Sequence, residues 1–134
     1  MRSPNRVLGI LFGSGYLVLG VVGLILSLGE GFFSTEGVPL LGLLRVNTSQ
    51  SVVHTVIGAA LLIAALSQAR AAQTVNSIVG AVYLVLGLVG LFLVGTSANV
   101  LALNVADNVL HFGSAAVLLA VGLGADKVVG PVNS

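Results

Sequence analysis

The chain has 134 residues, of which 57% are hydrophobic and 7% charged, with a net charge of +1. A soluble domain carries about 25% charged residues, so the charge present is too sparse to keep a folded surface dissolved, and the bilayer is the expected solvent. The lack of cysteine excludes disulfides, thiol chemistry and cysteine-ligated metal. With no Lys/Arg cluster to track a phosphate backbone, nucleic acid is not an expected partner.

A membrane-spanning helix needs roughly 20 apolar residues, and four runs qualify: Val7–Leu28, Ser49–Leu66, Val75–Val94 and Val100–Leu123. The expected class is therefore all-α, a polytopic membrane four-helix bundle in a single transmembrane domain. The first run follows Arg2 and Arg6. It exceeds the usual length of a signal-peptide core and lacks an A-x-A cleavage site, so it is expected to stay as a span. In it, Gly9, Gly13, Gly20 and Gly23 recur near helical spacing. The connection over 29–48 carries Glu30, Glu36, Pro39 and Arg45. Its apolar part, Val38–Leu44, is expected to form a short helix at the outer interface with Arg45 reaching water; a plain loop is the alternative.

The second run contains His54 and no formal charge. Arg70 marks a short inner turn before the third run, which carries Gly80, Gly87 and Gly90. Hydrocarbon gives helices no oil-from-water drive to associate, so close approach across small residues has to do it. These seven glycines are the expected packing positions. A phosphate-cradling loop is not expected, because no Lys and Ser/Thr accompany them. Tyr16 and Tyr83 fall mid-span, and each hydroxyl needs an acceptor inside the bundle. The tail after Asp126 is expected to fray.

Arg2, Arg6, Arg70 and Lys127 fall on one side of a four-span arrangement, with Arg45 alone on the other. Positive residues near span ends stay cytoplasmic. The expectation is a multi-pass protein of the bacterial plasma membrane with both termini in the cytoplasm.

The chain also repeats itself. Gly13-Ser-Gly-Tyr-Leu-Val-Leu-Gly-Val-Val-Gly-Leu24 matches Gly80-Ala-Val-Tyr-Leu-Val-Leu-Gly-Leu-Val-Gly-Leu91 at nine of twelve positions. Asn47, His54 and Gly58 correspond to Asn104, His111 and Ala115, with the same seven-residue step from Asn to His. Two helical hairpins, 7–66 and 75–123, are expected as a parallel repeat about an axis along the membrane normal.

The least oily residues of the spans form a stripe. Asn47, Ser51 and His54 share one helical face with Gly58; Asn104, Asp107 or Asn108, and His111 do the same with Ala115. Asp107 and His111 stand four apart, where they can touch. An aspartate exposed to lipid costs several kcal/mol, so the stripe is expected to face the bundle interior.

Three roles compete for the stripe. The first is structural, linking the second and fourth helices by hydrogen bonds of about 0.6–2 kcal/mol each. The second is a proton or small-molecule site built on the histidines, with Asp107 orienting a ring. The third is haem or metal, with His54 and His111 as axial ligands. No metal and no resident cofactor is the leading expectation, haem b being the alternative. Hydrolytic chemistry is not expected, since no nucleophile elbow or oxyanion donors accompany Ser51 and His54.

Taken together, Tyr16-Leu-Val-Leu-Gly20, Val22-Gly23, Leu41-Gly-Leu-Leu-Arg-Val-Asn47 with His54 and Gly58, Gly80 with Tyr83 and Gly87, and Asn104 to His111 around Ala106-Asp107-Asn108 resemble a known family. It is the domain of unknown function 4383 family, small four-helix membrane proteins of actinobacteria and some other bacteria. The likeness runs from Arg6 to about Leu123. Members often carry an asparagine or second histidine between Gln50 and Val53, where this chain has Gln50 and Ser51, which weakens a metal set on the second span. The resemblance implies an integral membrane protein and no established activity, substrate or cofactor. The expected role is a structural, scaffold or accessory membrane component rather than an enzyme. The alternative is proton-coupled or small-molecule transport, or haem- or quinone-linked redox work at His54 and His111. The expected partners are the lipid bilayer and a homo-oligomer or larger membrane complex.

Overall fold

A computed structural model describes residues 2–127. Four helices dominate it: α1 (Pro4–Leu26), α2 (Thr48–Ser67), α3 (Ala69–Leu93) and α4 (Val105–Gly124). Each is long and apolar enough to cross a bilayer. The Ser3 hydroxyl caps α1 by accepting the Arg6 N–H, and Pro4 opens the helix where a missing N–H costs little. Gln68 alone connects α2 to α3, in extended backbone, so that turn is one residue long. The end of the bundle holding it together with Pro4 and Gly124 is termed inner, and the opposite end outer, as labels of position only. The expected fraying tail lies almost wholly outside the described residues.

Two boundaries differ from the hydropathy reading. α3 begins at Ala69 rather than near 75, because its first turns carry Arg70, Gln73 and Asn76, which hydropathy ignores but a helix tolerates. α4 begins at Val105 rather than near 100, because Asn99 stops the chain first. Its amide donates to the Leu103 carbonyl at 2.8 Å and accepts the Leu103 N–H at 2.9 Å. Apolar Ala102 and Leu103 are buried in that turn.

The expected interfacial helix over Val38–Leu44 is not there. Strands β1 (Val38–Leu40) and β2 (Leu44–Val46) form an antiparallel ribbon, with Val38 opposite Val46, Pro39 opposite Arg45 and Leu40 opposite Leu44. Leu41 and Gly42 both take positive φ, 55° and 71°, and the Leu43 N–H bonds the Leu40 carbonyl at 3.3 Å. Two successive left-handed residues make the turn whose twist suits a hairpin. The period is two: Leu40 and Val46 are buried, while Pro39 and Arg45 point outward. Arg45 is exposed, and its guanidinium donates to the Gly37 carbonyl.

The main helix packing is α1 on α2 and α3 on α4; α2 on α3 and α1 on α3 pack less extensively. Close approach depends on glycine in both hairpins. A Cβ on Gly13 would lie 2.7 Å from the Leu62 backbone nitrogen, and one on Gly80 would lie 2.8 Å from Leu119 Cγ. Gly9 faces Ala65, Gly20 and Gly23 face Thr55 and Ser51, and Gly87 and Gly90 face Phe112 and Asn108.

The surface inverts that of a soluble protein. Leu11, Ile63 and Phe92 are 65%, 69% and 82% exposed, while Asn5, Asn47, Asn76 and Asp107 are fully buried. Exposed apolar area on this scale marks contact with lipid or protein.

Gly13→Leu forces a side chain into the α2 backbone and is expected to destabilise the detergent-solubilised protein by about 1–3 kcal/mol. Gly113→Ala, where nothing lies within 4 Å, is expected to stay within about 0.5 kcal/mol of the parent. Thermal unfolding of both variants measures the difference.

Candidate functional site: a layered polar interior

The buried polar groups occupy three levels. At the outer end, Asn47 and Asn104 cap α2 and α4 in nearly the same backbone geometry, with φ of −121° and −119°. The Asn47 side-chain oxygen accepts the Gln50 N–H, and that of Asn104 accepts the Asp107 N–H. An N-cap needs only the side-chain oxygen, so each amide nitrogen is free to reach the other hairpin. Asn47 Nδ2 donates to the Val100 carbonyl at 2.7 Å and to that of Ser34 at 2.9 Å. Asn104 Nδ2 donates to the Leu43 carbonyl at 2.9 Å. Each hairpin thus holds the other's outer loop, and Ser49 reinforces one side through its bond to the Val100 carbonyl.

Asp107 completes a capping box. Its Oδ2 accepts the N–H groups of Asn104 at 2.9 Å and Arg45 at 3.3 Å. No hydrogen bond joins it to His111, although their spacing suggested contact. At the third helical position, the open N–H groups of the helix start are the nearer donors. Gln50 stands at the same position of α2. Oriented to satisfy its neighbours, its amide nitrogen donates to the carbonyls of Arg45 at 2.7 Å and Leu101 at 2.9 Å.

The middle level is aromatic. His54 Nε2 and His111 Nε2 stand 3.3 Å apart, with one ring donating to the other. Tyr83 stacks on His111 with centroids 5.1 Å apart, Tyr16 lies 5.2 Å from His54, and the two tyrosines stack at 4.8 Å. The Tyr16 hydroxyl shares a 2.6 Å hydrogen bond with Ser114. The Tyr83 hydroxyl has no such partner among the described residues. On the seven-residue register that aligns the two Asn-to-His steps, Ile57 occupies the place in α2 that Ser114 occupies in α4, and isoleucine offers no acceptor. α2 and α4 are not among the extensively packed helix pairs, so the imidazoles bridge them across the bundle.

Ser51 and Asn108, the remaining members of the predicted stripe, are buried beside Gly23 and Gly90. They pack within their own hairpins and do not join the imidazole pair. Below the tyrosines, Leu61, Val79, Ala115 and Leu118 fill the interior with apolar side chains.

The inner level escaped the sequence reading. Asn76 Nδ2 donates to the Asn5 carbonyl and side-chain oxygen, both at 3.0 Å. Asn5 Nδ2 in turn donates to Asp126 Oδ2 at 2.9 Å. The Ser3 hydroxyl donates to the same carboxylate at 2.6 Å. Bonds from Ser3, followed by those from Asn5, hold the Asp126 carboxyl below the usual carboxylate range. These residues lie at run ends, where asparagine ordinarily reads as loop chemistry. Gln50 was the more legible omission, because counting from the N-cap pairs it with Asp107.

His54 Nε2 and His111 Nε2 face each other directly, and Tyr16 and Tyr83 pack against the two imidazoles. Among the described residues, no three His, Asp or Glu gather closely enough to hold a metal ion.

Four span-length helices with a polar interior and an apolar exterior define a multi-pass membrane protein. The chain belongs to the family described as a domain of unknown function (DUF4383), which matches residues 6–124. No curated protein and no solved structure gave a match.

Asn104→Ala removes a cap and the brace to Leu43 together, and is expected to cost about 1–2 kcal/mol. Amide exchange should accelerate in the loop over 41–46, and unchanged exchange there would refute the bracing role. Asp126 supplies a pH test. A carboxylate with a depressed folded pKa contributes stability above its unfolded value of about 3.9, and loses it as pH falls through the folded value. The melting-temperature gap between parent and Asp126→Asn should therefore be present at neutral pH and close in strong acid.

Proposed function

We propose that the protein is a structural or accessory component of the bacterial plasma membrane, with both termini cytoplasmic and two duplicated hairpins locked by their polar interior. The observation that carries this reading is the His54–His111 hydrogen bond at 3.3 Å, buried between hairpins and closed beneath by Leu61, Val79 and Leu118. A transport path needs polar groups across the whole thickness. Here the apolar layer separates the imidazoles from the Asn5–Asn76 level, so the polar groups link helices rather than line a route. The duplication is supported by matched contacts: Gly23 meets Ser51 as Gly90 meets Asn108, and Gly20 meets Thr55 as Gly87 meets Phe112. The cytoplasmic assignment rests on the positive-inside rule, since the Arg6 end holds most of the cations. A homo-oligomer or larger membrane complex is the partner this role requires, because an accessory component acts through what it joins.

A proton-linked site is the second reading. It is favoured by the buried polar atoms His54 Nδ1, His111 Nδ1 and Tyr83 Oη, which find no hydrogen-bond partner among the described residues. One experiment separates the two. His54→Phe and His111→Phe are expected to lower stability by about 1–3 kcal/mol, since each strands the other imidazole. A double-mutant cycle should return a coupling of at least about 0.5 kcal/mol. Proteoliposomes loaded with a pH-sensitive dye should show no proton flux beyond that of empty vesicles. Unaltered melting in the variants, with a proton flux that only the parent supports, would transfer the role to the second reading.

A further inference from the structure

The inner end of the bundle concentrates positive charge. Arg2, Arg6, Arg70 and Lys127 stand there with a single carboxylate, Asp126, among the described residues, and Ser3 and Asn5 already occupy that carboxylate. A groove of about 770 Å³ opens at this end, lined by Arg2, Arg6, Val7, Ile10, Leu11 and Ala69 among others. Its head is fixed in place. Arg6 Nε donates to the Ala65 carbonyl at 2.7 Å and Nη2 to that of Leu66 at 3.4 Å, which anchors the guanidinium on the negative end of α2. Arg6 Nη1 and the whole Arg2 guanidinium make no hydrogen bond among the described residues.

The wall below is apolar. Ile10 lies one turn below Arg6 and Leu11 one turn below Val7, so the groove descends roughly 8 Å from the guanidinium level. Val7, Ile10 and Leu11 are 39%, 38% and 65% exposed along it. Cations above a lipid-facing apolar slot match the layout of a phospholipid, with its phosphate at the arginines and its first acyl carbons on α1. A free phosphate would use the arginines and leave the slot without a role. Basic pockets at this depth are the known setting for anionic headgroups. We propose that Arg2 and Arg6, with the Val7–Leu11 wall of α1, form a binding site for an anionic phospholipid.

Native mass spectrometry of the full chain in mild detergent, with phosphatidylglycerol and phosphatidylcholine supplied equally, tests the site. The anionic lipid should be retained preferentially. Arg2→Gln and Arg6→Gln should each reduce that preference about fivefold. Arg2→Gln removes no hydrogen bond among the described residues, and a melting temperature equal to the parent's should accompany its effect and separate it from misfolding. Arg45→Gln, at the opposite end, should leave the preference intact. Leu11→Ser should weaken retention of the diacyl lipid, and millimolar inorganic phosphate should fail to displace it. Equal retention of both lipids, an unaltered preference in Arg2→Gln, an equal loss in Arg45→Gln, or full displacement by inorganic phosphate would each overturn the site.

Discussion

Hydrocarbon cannot hydrogen-bond, so a polar group that enters the spans is driven away from lipid and toward partners inside the bundle. The rest of the structure follows from that constraint. Leu11, Ile63 and Phe92 are among the apolar side chains that turn outward, while Asn47, Asn76, His54, His111, both tyrosines and Asp107 turn inward. The folding drive is then not the removal of oil from water. Close packing takes its place, and glycine supplies the closeness at the α1–α2 and α3–α4 contacts, where a side chain on Gly13 or Gly80 would collide with the facing helix.

Asparagine solves two problems at the outer end. A helix entering from a loop leaves open N–H groups, and a loop folded over a bundle leaves open carbonyls. Asn47 and Asn104 use the oxygen for the first and the nitrogen for the second. Because each nitrogen crosses to the other hairpin, capping a helix and joining the halves become one event. Serine or threonine would cap as well, and Ser3 both caps α1 and donates to Asp126. An amide, however, carries two N–H donors on a separate atom, and Asn47 uses them on Ser34 and Val100. Asp107 and Gln50 extend the same logic one turn further in.

The interior is layered rather than continuous. Capping chemistry lies at the outer end, the imidazole and phenol rings in the middle, a leucine and valine layer beneath, and the Asn5–Asn76–Asp126 group at the inner end. The apolar layer limits what the imidazoles can do, since no polar group joins them to the inner end. The asymmetry at the tyrosines has a local cause: Ser114 answers Tyr16, whereas isoleucine holds the equivalent place opposite Tyr83.

The amino-acid sequence by itself determined the class of protein, the number of helices and the family, because hydropathy and the Asn-to-His spacing are local properties of the chain. It also marked the residues that do not suit lipid. Their partners were decided only by tertiary structure. Spacing along α4 put Asp107 within reach of His111, yet the carboxylate turned to Arg45 and Asn104, because the backbone donors of a folded loop are invisible to periodicity. The ribbon over Val38–Val46 escaped for the same reason: an apolar run bounded by Pro39 and Gly42 does not reveal which residue takes positive φ. The bonds from Asn5 to Asp126 and from Asn76 to Asn5 join residues at least 71 positions apart, and contacts at that separation exist only once the helices have packed.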